Sequence, residues 1–276
     1  MKLFLTLLVR DEVDIVRENL EFHLAQGVDR VLVTDNNSVD GTLEILREYE
    51  ARGAVQLLLE PSNDWMQAKW VTRMARLAAK EGADWVINSD VDEFWFPRTG
   101  TLRSSFDGIG DEVGTVVAHR TDFVPRPEDG RVFWERMTLR ERESFNSVGR
   151  TLPPKVAHRA HPKISVGNGN HDVTGAELGE RLEERLVDIV HFPIRTWAQF
   201  ENKVVRGGRG LARNRELSQG AYRTWRRTYD LWERGELRDY YERKLVADEK
   251  REDVFEDTRV RDFLRSLHRA KPADRT

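Results

Sequence analysis

The segment Asp84-Trp85-Val86-Ile87-Asn88-Ser89-Asp90-Val91-Asp92-Glu93-Phe94 runs from a short apolar core straight into a knot of acid. Trp85–Ile87 reads as a buried strand. In the extended chain that follows, Asp90 and Asp92 share one face and Val91 turns back to the core, because side chains alternate. Carboxylates packed this closely repel one another, so the cluster needs a cation or a set of donors. Hard oxygen ligands with room for water and substrate phosphate suit Mg²⁺ or Mn²⁺. An isolated Asp-x-Asp is more often a solvated acidic turn, so the flanking chain has to decide between the two readings.

Upstream, strand and helix patterns alternate. Residues 3–9 form an apolar run suited to a strand buried on both faces. Asp14 reads as a helix N-cap, with Ile15, Val16, Leu20 and Leu24 at helical spacing and Gly27 as the stop. Val31–Val33 is a second buried strand that ends at Thr34-Asp35-Asn36-Asn37-Ser38. Asp40-Gly41-Thr42 opens the next helix, with Asp40 as its cap, and Val55–Leu59 is a third strand. A long helix from about Met66 to Glu81 leads into Trp85–Ile87. This alternation predicts a mostly parallel, doubly wound sheet, Rossmann-like in its first half. Such sheets bind ligands beyond the carboxyl ends of their strands. Arg10-Asp11-Glu12, Asp35-Asn36 and Asp90/Asp92 all fall at those ends, which favours a site over a solvated turn.

Downstream the alternation stops. Val113 to Val124 and Val132-Phe133-Trp134 read as strands, and residues 140–162, with Pro153, Pro154 and Pro162, as a loop-rich insertion. Lys163–Val166 is a short strand that ends in the turn Gly167-Asn168-Gly169-Asn170-His171-Asp172. Val187–Val190 is another strand, ending at His191-Phe192-Pro193. Beyond Thr196 the pattern is helical. His119, mid-strand, reads as a core histidine. Arg206-Gly207-Gly208-Arg209-Gly210 suits a lid over a diphosphate or a plain exposed connection. Trp225, Tyr229 and Trp232 form one helical stripe, for packing or for a dimer or acceptor surface. Lys69 is placed either to reach a phosphate or to sit in solvent.

Composition narrows the class. The 276 residues carry a net charge of −3 and no cysteine, which argues against nucleic acid as a partner and excludes disulfides and thiolate metal sites. No run approaches the ~20 apolar residues of a membrane span. Leu3–Val9 is too short for a signal segment, so a soluble cytoplasmic protein is expected.

Leu8-Val9-Arg10-Asp11-Glu12, Gly27-Val28-Asp29, Thr34-Asp35-Asn36-Asn37-Ser38-Val39-Asp40-Gly41-Thr42 and Asp90-Val91-Asp92-Glu93-Phe94 together resemble the family 2-like glycosyltransferases of GT-A fold. The resemblance implies a GT-A-type single domain over 1–205, with a nucleotide-binding half (1–95), a smaller mixed-sheet acceptor and metal half (96–205), and a C-terminal helical extension (206–276). It implies a metal-dependent hexosyl- or N-acetylhexosaminyl-transferase. The donor would be a nucleotide-diphosphate sugar, a UDP-sugar favoured, and the acceptor a hydroxyl or amine of a glycan, lipid-linked or small molecule. The backbone around Leu7 and Val9, with Arg10, Glu12, Asp35, Asn36, Lys69, Asp90 and Arg206, would hold the donor. Asp90, Asp92 and His191 would hold Mn²⁺ or Mg²⁺, with His171 as an alternative ligand. A His191 ligand would lose its lone pair as pH drops through about 6–7. Inverting members use an acceptor-side carboxylate as base, and Asp172 and Asp122 are the candidates here. The rival readings are a nucleotidyltransferase on the same sheet and an inactive nucleotide- or glycan-binding module. The first lacks its Gly-rich loop after the first strand, and intact Asp90/Asp92 argues against the second.

Overall fold

The computed structural model describes residues 1–146, 149–175, 177–214, 222–245 and 252–270. The first half alternates as its apolar periodicity requires: β1 (Leu3–Val9), α1 (Val16–Ala25), β2 (Arg30–Asp35), α2 (Thr42–Ala51), β3 (Val55–Leu59), α3 (Gln67–Lys80) and β4 (Trp85–Asp90). The second half is less regular. It holds β5 (Glu93–Pro97), α4 (Leu102–Asp107), β6 (Val113–Asp122), α5 (Phe133–Arg136), β7 (Leu139–Glu141), β8 (Lys155–Arg159), β9 (Ser165–Val166), a 3-10 turn (Asn168–Asn170), β10 (Val173–Thr174), β11 (Glu180–Leu182) and β12 (Val187–His191). Helices α6 (Trp197–Arg213), α7 (Arg223–Glu233) and α8 (Leu237–Lys244), strand β13 (Val254–Glu256) and helix α9 (Arg259–Ala270) follow.

The main sheet has the order β3-β2-β1-β4-β8-β6-β12-β5, with β11 attached to β6. Strands β3, β2, β1 and β4 are mutually parallel. Strand β8 runs antiparallel to both β4 and β6, β12 is parallel to β6, and β5 is antiparallel to β12. Two reversals restore direction, so β6 and β12 point the same way as β1, β2 and β4. One edge therefore collects the carboxyl ends Val9, Asp35, Asp90, Asp122 and His191, together with the amino ends Lys155 and Glu93. That single topological fact assembles the site.

Apolar side chains on both faces of the parallel strands explain their burial. Leu5, Val33 and Ile87 are fully enclosed under the helices. Gly27 ends the first helix segment at φ +91°, where a side chain would collide with Arg103. The N-cap of α2 is Gly41 rather than Asp40, which lies one residue earlier and accepts from Thr42 N–H at 3.0 Å through Oδ1.

Several local expectations are corrected. The N-cap of α1 is Ile15, without a side-chain bond, because Asp14 is drawn away to Arg195. Residues 133–136 form a helical turn rather than a strand, since Phe133, Trp134 and Arg136 are all turned inward. The 140–162 stretch contains β8 and the end of β7, and His119 is exposed. Helix α6 runs through position 205, so a division there would cut a helix. The segment beyond it also supplies strand β13 to β7.

Candidate active site

Asp92 is buried at the turn between β4 and β5. Its Oδ2 accepts from Lys203 Nζ at 2.5 Å and lies 3.2 Å from His191 Nε2. The other ring nitrogen, Nδ1, lies 2.8 Å from Asp122 Oδ1. Backbone bonds set this alignment: Phe192 N–H donates to Asp92 O at 2.9 Å, and Phe123 N–H to His191 O at 2.7 Å. His191 is in register with Glu93 on one side and Asp122 on the other. Burial opposes charge on the ring, but the Asp92 and Asp122 carboxylates outweigh it and raise the His191 pKa to about 9. The expected protonation between pH 6 and 7 is thereby displaced upward. Burial likewise works against the Asp92 carboxylate, yet Lys203 and His191 hold its pKa well below the usual range.

A second layer of cations steadies these acids. Lys203 Nζ also donates to Glu12 Oε1 at 3.0 Å. Arg195, fully buried, joins Glu12 to Asp14, with its Nε 2.7 Å from Asp14 Oδ2. Asp90 is turned to the other side, onto the buried Lys155, whose Nζ lies 2.9 Å from Glu93 Oε1. Arg120 donates to the same Glu93 oxygen at 2.9 Å. Gln67 and Asn170 donate to Asp90 Oδ1 at 3.2 and 3.3 Å. Lys155 lowers the Asp90 pKa against the opposing effects of burial and of Asp92.

Asp35 closes the far end of the edge. Its Oδ2 accepts from Ser38 N–H at 3.1 Å, while Oδ1 is buried without a hydrogen-bond partner. Burial raises its pKa despite the bonds from Ser38. Asn36 N–H donates to Val9 O at 2.8 Å, and Arg10 reaches Asn36 Oδ1 at 3.3 Å and Asn63 Oδ1 at 2.7 Å. Arg206 Nε lies 2.8 Å from Asp11 Oδ2, and burial together with Arg206 lowers the Arg10 pKa.

The edge thus brings together Val9, Arg10, Glu12, Asp35, Asn36, Asp90, Asp92, Asp122, His191 and Arg206. Other expectations are corrected. Leu7 lies inside the ladder between β2 and β4, so its backbone is committed to the sheet. Asp172 is 67% exposed and pairs at 3.7 Å with Arg181. His171 donates through Nδ1–H to Pro154 O, 2.8 Å away, rather than joining Asp92; burial and Lys155 lower its pKa. Lys69 lines a separate groove of about 500 Å³ with Arg73, Arg76, Glu60 and Ser165. Asp90, held by Lys155, does not face the ring of His191. Among the described residues no group of three or more His, Asp or Glu side chains is arranged to hold a metal ion. Arg206–Gly210 is helix rather than lid. Its glycines admit α7, because a side-chain carbon at Gly207 would sit 2.6 Å from Trp225 and one at Gly208 would overlap Tyr229. The Trp225/Tyr229/Trp232 stripe is accordingly a packing face. Lys155, Lys203 and Arg195 were not anticipated; no motif marks them, and only the sheet order shows where they point.

The parallel strands, the mixed second half and the acid-lined carboxyl edge define a GT-A-type glycosyltransferase fold. The chain belongs to glycosyltransferase family 92, whose family model matches residues 6–216. It is 34% identical over 216 residues to a glycosyltransferase family 92 protein of Oryza sativa subsp. japonica, covering 71% of this chain and 34% of that protein. The chain thus spans about a third of that relative's length. Among solved structures it is similar to S. aureus TarS 1–349 in complex with UDP-GlcNAc (TM-score 0.44, 13% identity, 79% of this chain and 68% of that one). It is also similar to Mycobacterium tuberculosis glucosyl-3-phosphoglycerate synthase in complex with Mn²⁺, UDP and glucosyl-3-phosphoglycerate (TM-score 0.32, 17% identity, 43% of this chain and 44% of that one). No described helix is long and apolar enough to cross a membrane.

Proposed function

We propose that the chain transfers a hexosyl or N-acetylhexosaminyl group from a nucleotide-diphosphate sugar, a UDP-sugar in particular, to an acceptor hydroxyl or amine with inversion. The observation that carries this reading is the unfilled Oδ1 of Asp35, buried on the same edge as the Asp92–His191 pair. Strands β2 and β4 flank β1, which separates their ends by about 10 Å, the reach of a nucleoside and its phosphates. Asp35 would take a donor N–H or O–H of the nucleoside, and Arg10 and Arg206 would face its phosphates.

Asp92 Oδ2 and His191 Nε2, 3.2 Å apart, would hold a shared divalent cation once that ion displaces the proton the two carboxylates favour on the ring, with water and substrate phosphate completing its shell. The nitrogen donor favours Mn²⁺ over Mg²⁺. A bound ion would neutralise the charge growing on the diphosphate as the glycosidic bond breaks. Lys155 keeps Asp90 ionised on its own side of the edge, where it would face the donor's ribose. Asp122, with one oxygen on His191, is the carboxylate we assign as base for the acceptor proton.

Calorimetry with UDP and UDP-sugars, with and without Mn²⁺, tests this. Binding should require Mn²⁺ and vanish in Asp92→Asn, while Asp35→Ala should weaken it by about 1–3 kcal/mol. Ion-dependent binding that survives Asp92→Asn overturns the assignment.

A further inference from the structure

We propose that Lys203 is a built-in competitor for the divalent cation at Asp92, which makes ion binding depend on an incoming anion. The inference rests on the reading of Asp92 and His191 given above. Lys203 Nζ is held 2.5 Å from Asp92 Oδ2, the same oxygen that lies 3.2 Å from His191 Nε2. An ammonium at that distance competes with a doubly charged ion on the same carboxylate oxygen, because the two cations repel. For the ion to enter, Lys203 must leave Asp92.

The surroundings make that exchange specific to Lys203. Its side chain is 23% exposed, whereas those of Lys155 and Arg195 are fully enclosed and fixed between acids of their own. Lys203 has a second carboxylate at hand, Glu12 Oε1 at 3.0 Å. Glu12 is already shared with Arg195, so a Lys203 displaced from Asp92 is left with half a partner. A phosphate arriving with the donor would complete it. The ammonium therefore protects Asp92 from ions in the free protein and releases it when a diphosphate is present. This is a coupling between two ligands through one side chain.

The measurement is Mn²⁺ affinity in the absence of nucleotide, read by the electron paramagnetic resonance signal of free Mn²⁺. Lys203→Met should bind Mn²⁺ about tenfold or more tightly than the parent chain, a coupling of ordinary size. Lys203→Arg, which keeps the cation, should not gain affinity. Arg17→Gln, which removes a cation held on Glu48 away from the site, should also stay near the parent value. Lys203→Gln serves the same purpose as Lys203→Met if the latter fails to fold. Parent-like Mn²⁺ affinity in the folded Met or Gln variant, while UDP and Mn²⁺ still bind together, overturns the role of Lys203 alone. Absence of Mn²⁺ binding by every form, with UDP present, overturns the cation site itself.

Discussion

Phe123 and Phe192 stack face to face, with ring centroids 4.3 Å apart and planes 5° from parallel. Each ring follows a site residue, Asp122 and His191, so the stack fixes the spacing between carboxylate and imidazole from below. Phe94, after Glu93, meets Phe192 edge-on at 5.6 Å and extends the same support to β5. Phe192→Ala should cost about 3–5 kcal/mol in urea unfolding. The milder Phe192→Leu should fold but lower turnover more than donor affinity, because it loosens His191 against Asp122 without touching Asp35. Equal losses in turnover and donor binding would show that the stack is general packing.

Arg195 is the most committed cation of the site. It is fully buried, joins Glu12 and Asp14, and has its guanidinium 5.8 Å from the Phe133 ring centroid. Removing one partner of a buried ion pair leaves the other charges uncompensated. Arg195→Met is expected to destabilise the fold by about 3–5 kcal/mol. Arg195→Lys should recover only part of it, since an ammonium cannot satisfy two carboxylates bidentately. A Met variant with unchanged urea midpoint would mean that water already screens the trio.

The glycines of α6 make a third case. Alanine normally gains up to about 1 kcal/mol over glycine inside a helix. At Gly208 the new methyl group would overlap the Tyr229 ring, and at Gly207 it would sit 2.6 Å from Trp225. Overpacking of that kind costs about 1–3 kcal/mol, so Gly208→Ala should lower the melting temperature despite its better helix propensity. Gly208→Ala combined with Tyr229→Ala should restore part of the loss, because the overlap is gone. A single variant that melts at or above the parent would refute close helix contact there.

What the sequence made legible follows from local rules. Apolar strands followed by Asp35, Asp90 and His191 marked the carboxyl edge, and sheet direction made those ends meet. Lys155 was hidden because β8 is a short antiparallel strand inside a proline-rich stretch, and its position depends on pairing with β4 and β6. Lys203 looked like any charged helical residue, and its partner Asp92 lies 111 positions earlier. Asp14 looked like a cap because local chemistry favours one, yet an arginine 181 positions away claimed it. Asp122 was noticed as a carboxylate, but its bond to His191 depends on the register between β6 and β12. Periodicity yields elements and their ends; long-range ion pairs depend on which strands are neighbours.

The two fully buried histidines outside the site give the fold a pH limit. His23 Nδ1 lies 2.9 Å from Asn19 O, and Trp95 N–H donates to His23 Nε2 at 3.3 Å, which requires a neutral ring with its proton on Nδ1. His158 Nδ1 lies 2.8 Å from Arg159 O, and its Nε2 is buried without a partner. Burial lowers both pKa values to about 4. In the unfolded chain both rings titrate near 6.5. Above that pH they are neutral in either state and cost nothing. As pH falls from about 6.5 toward 4, the unfolded chain takes up two protons that the folded protein refuses, so stability drops by up to about 1.4 kcal/mol per pH unit for each ring. His191, with its raised pKa, acts above 6.5 and in the opposite direction, so the comparison runs from pH 6.5 downward. Urea midpoints at pH 6.5, 5.5 and 5.0 should decline steadily, and His23→Gln should roughly halve the slope because one of the two rings is gone. A midpoint that holds constant across this range would mean that the rings are protonated in the folded protein.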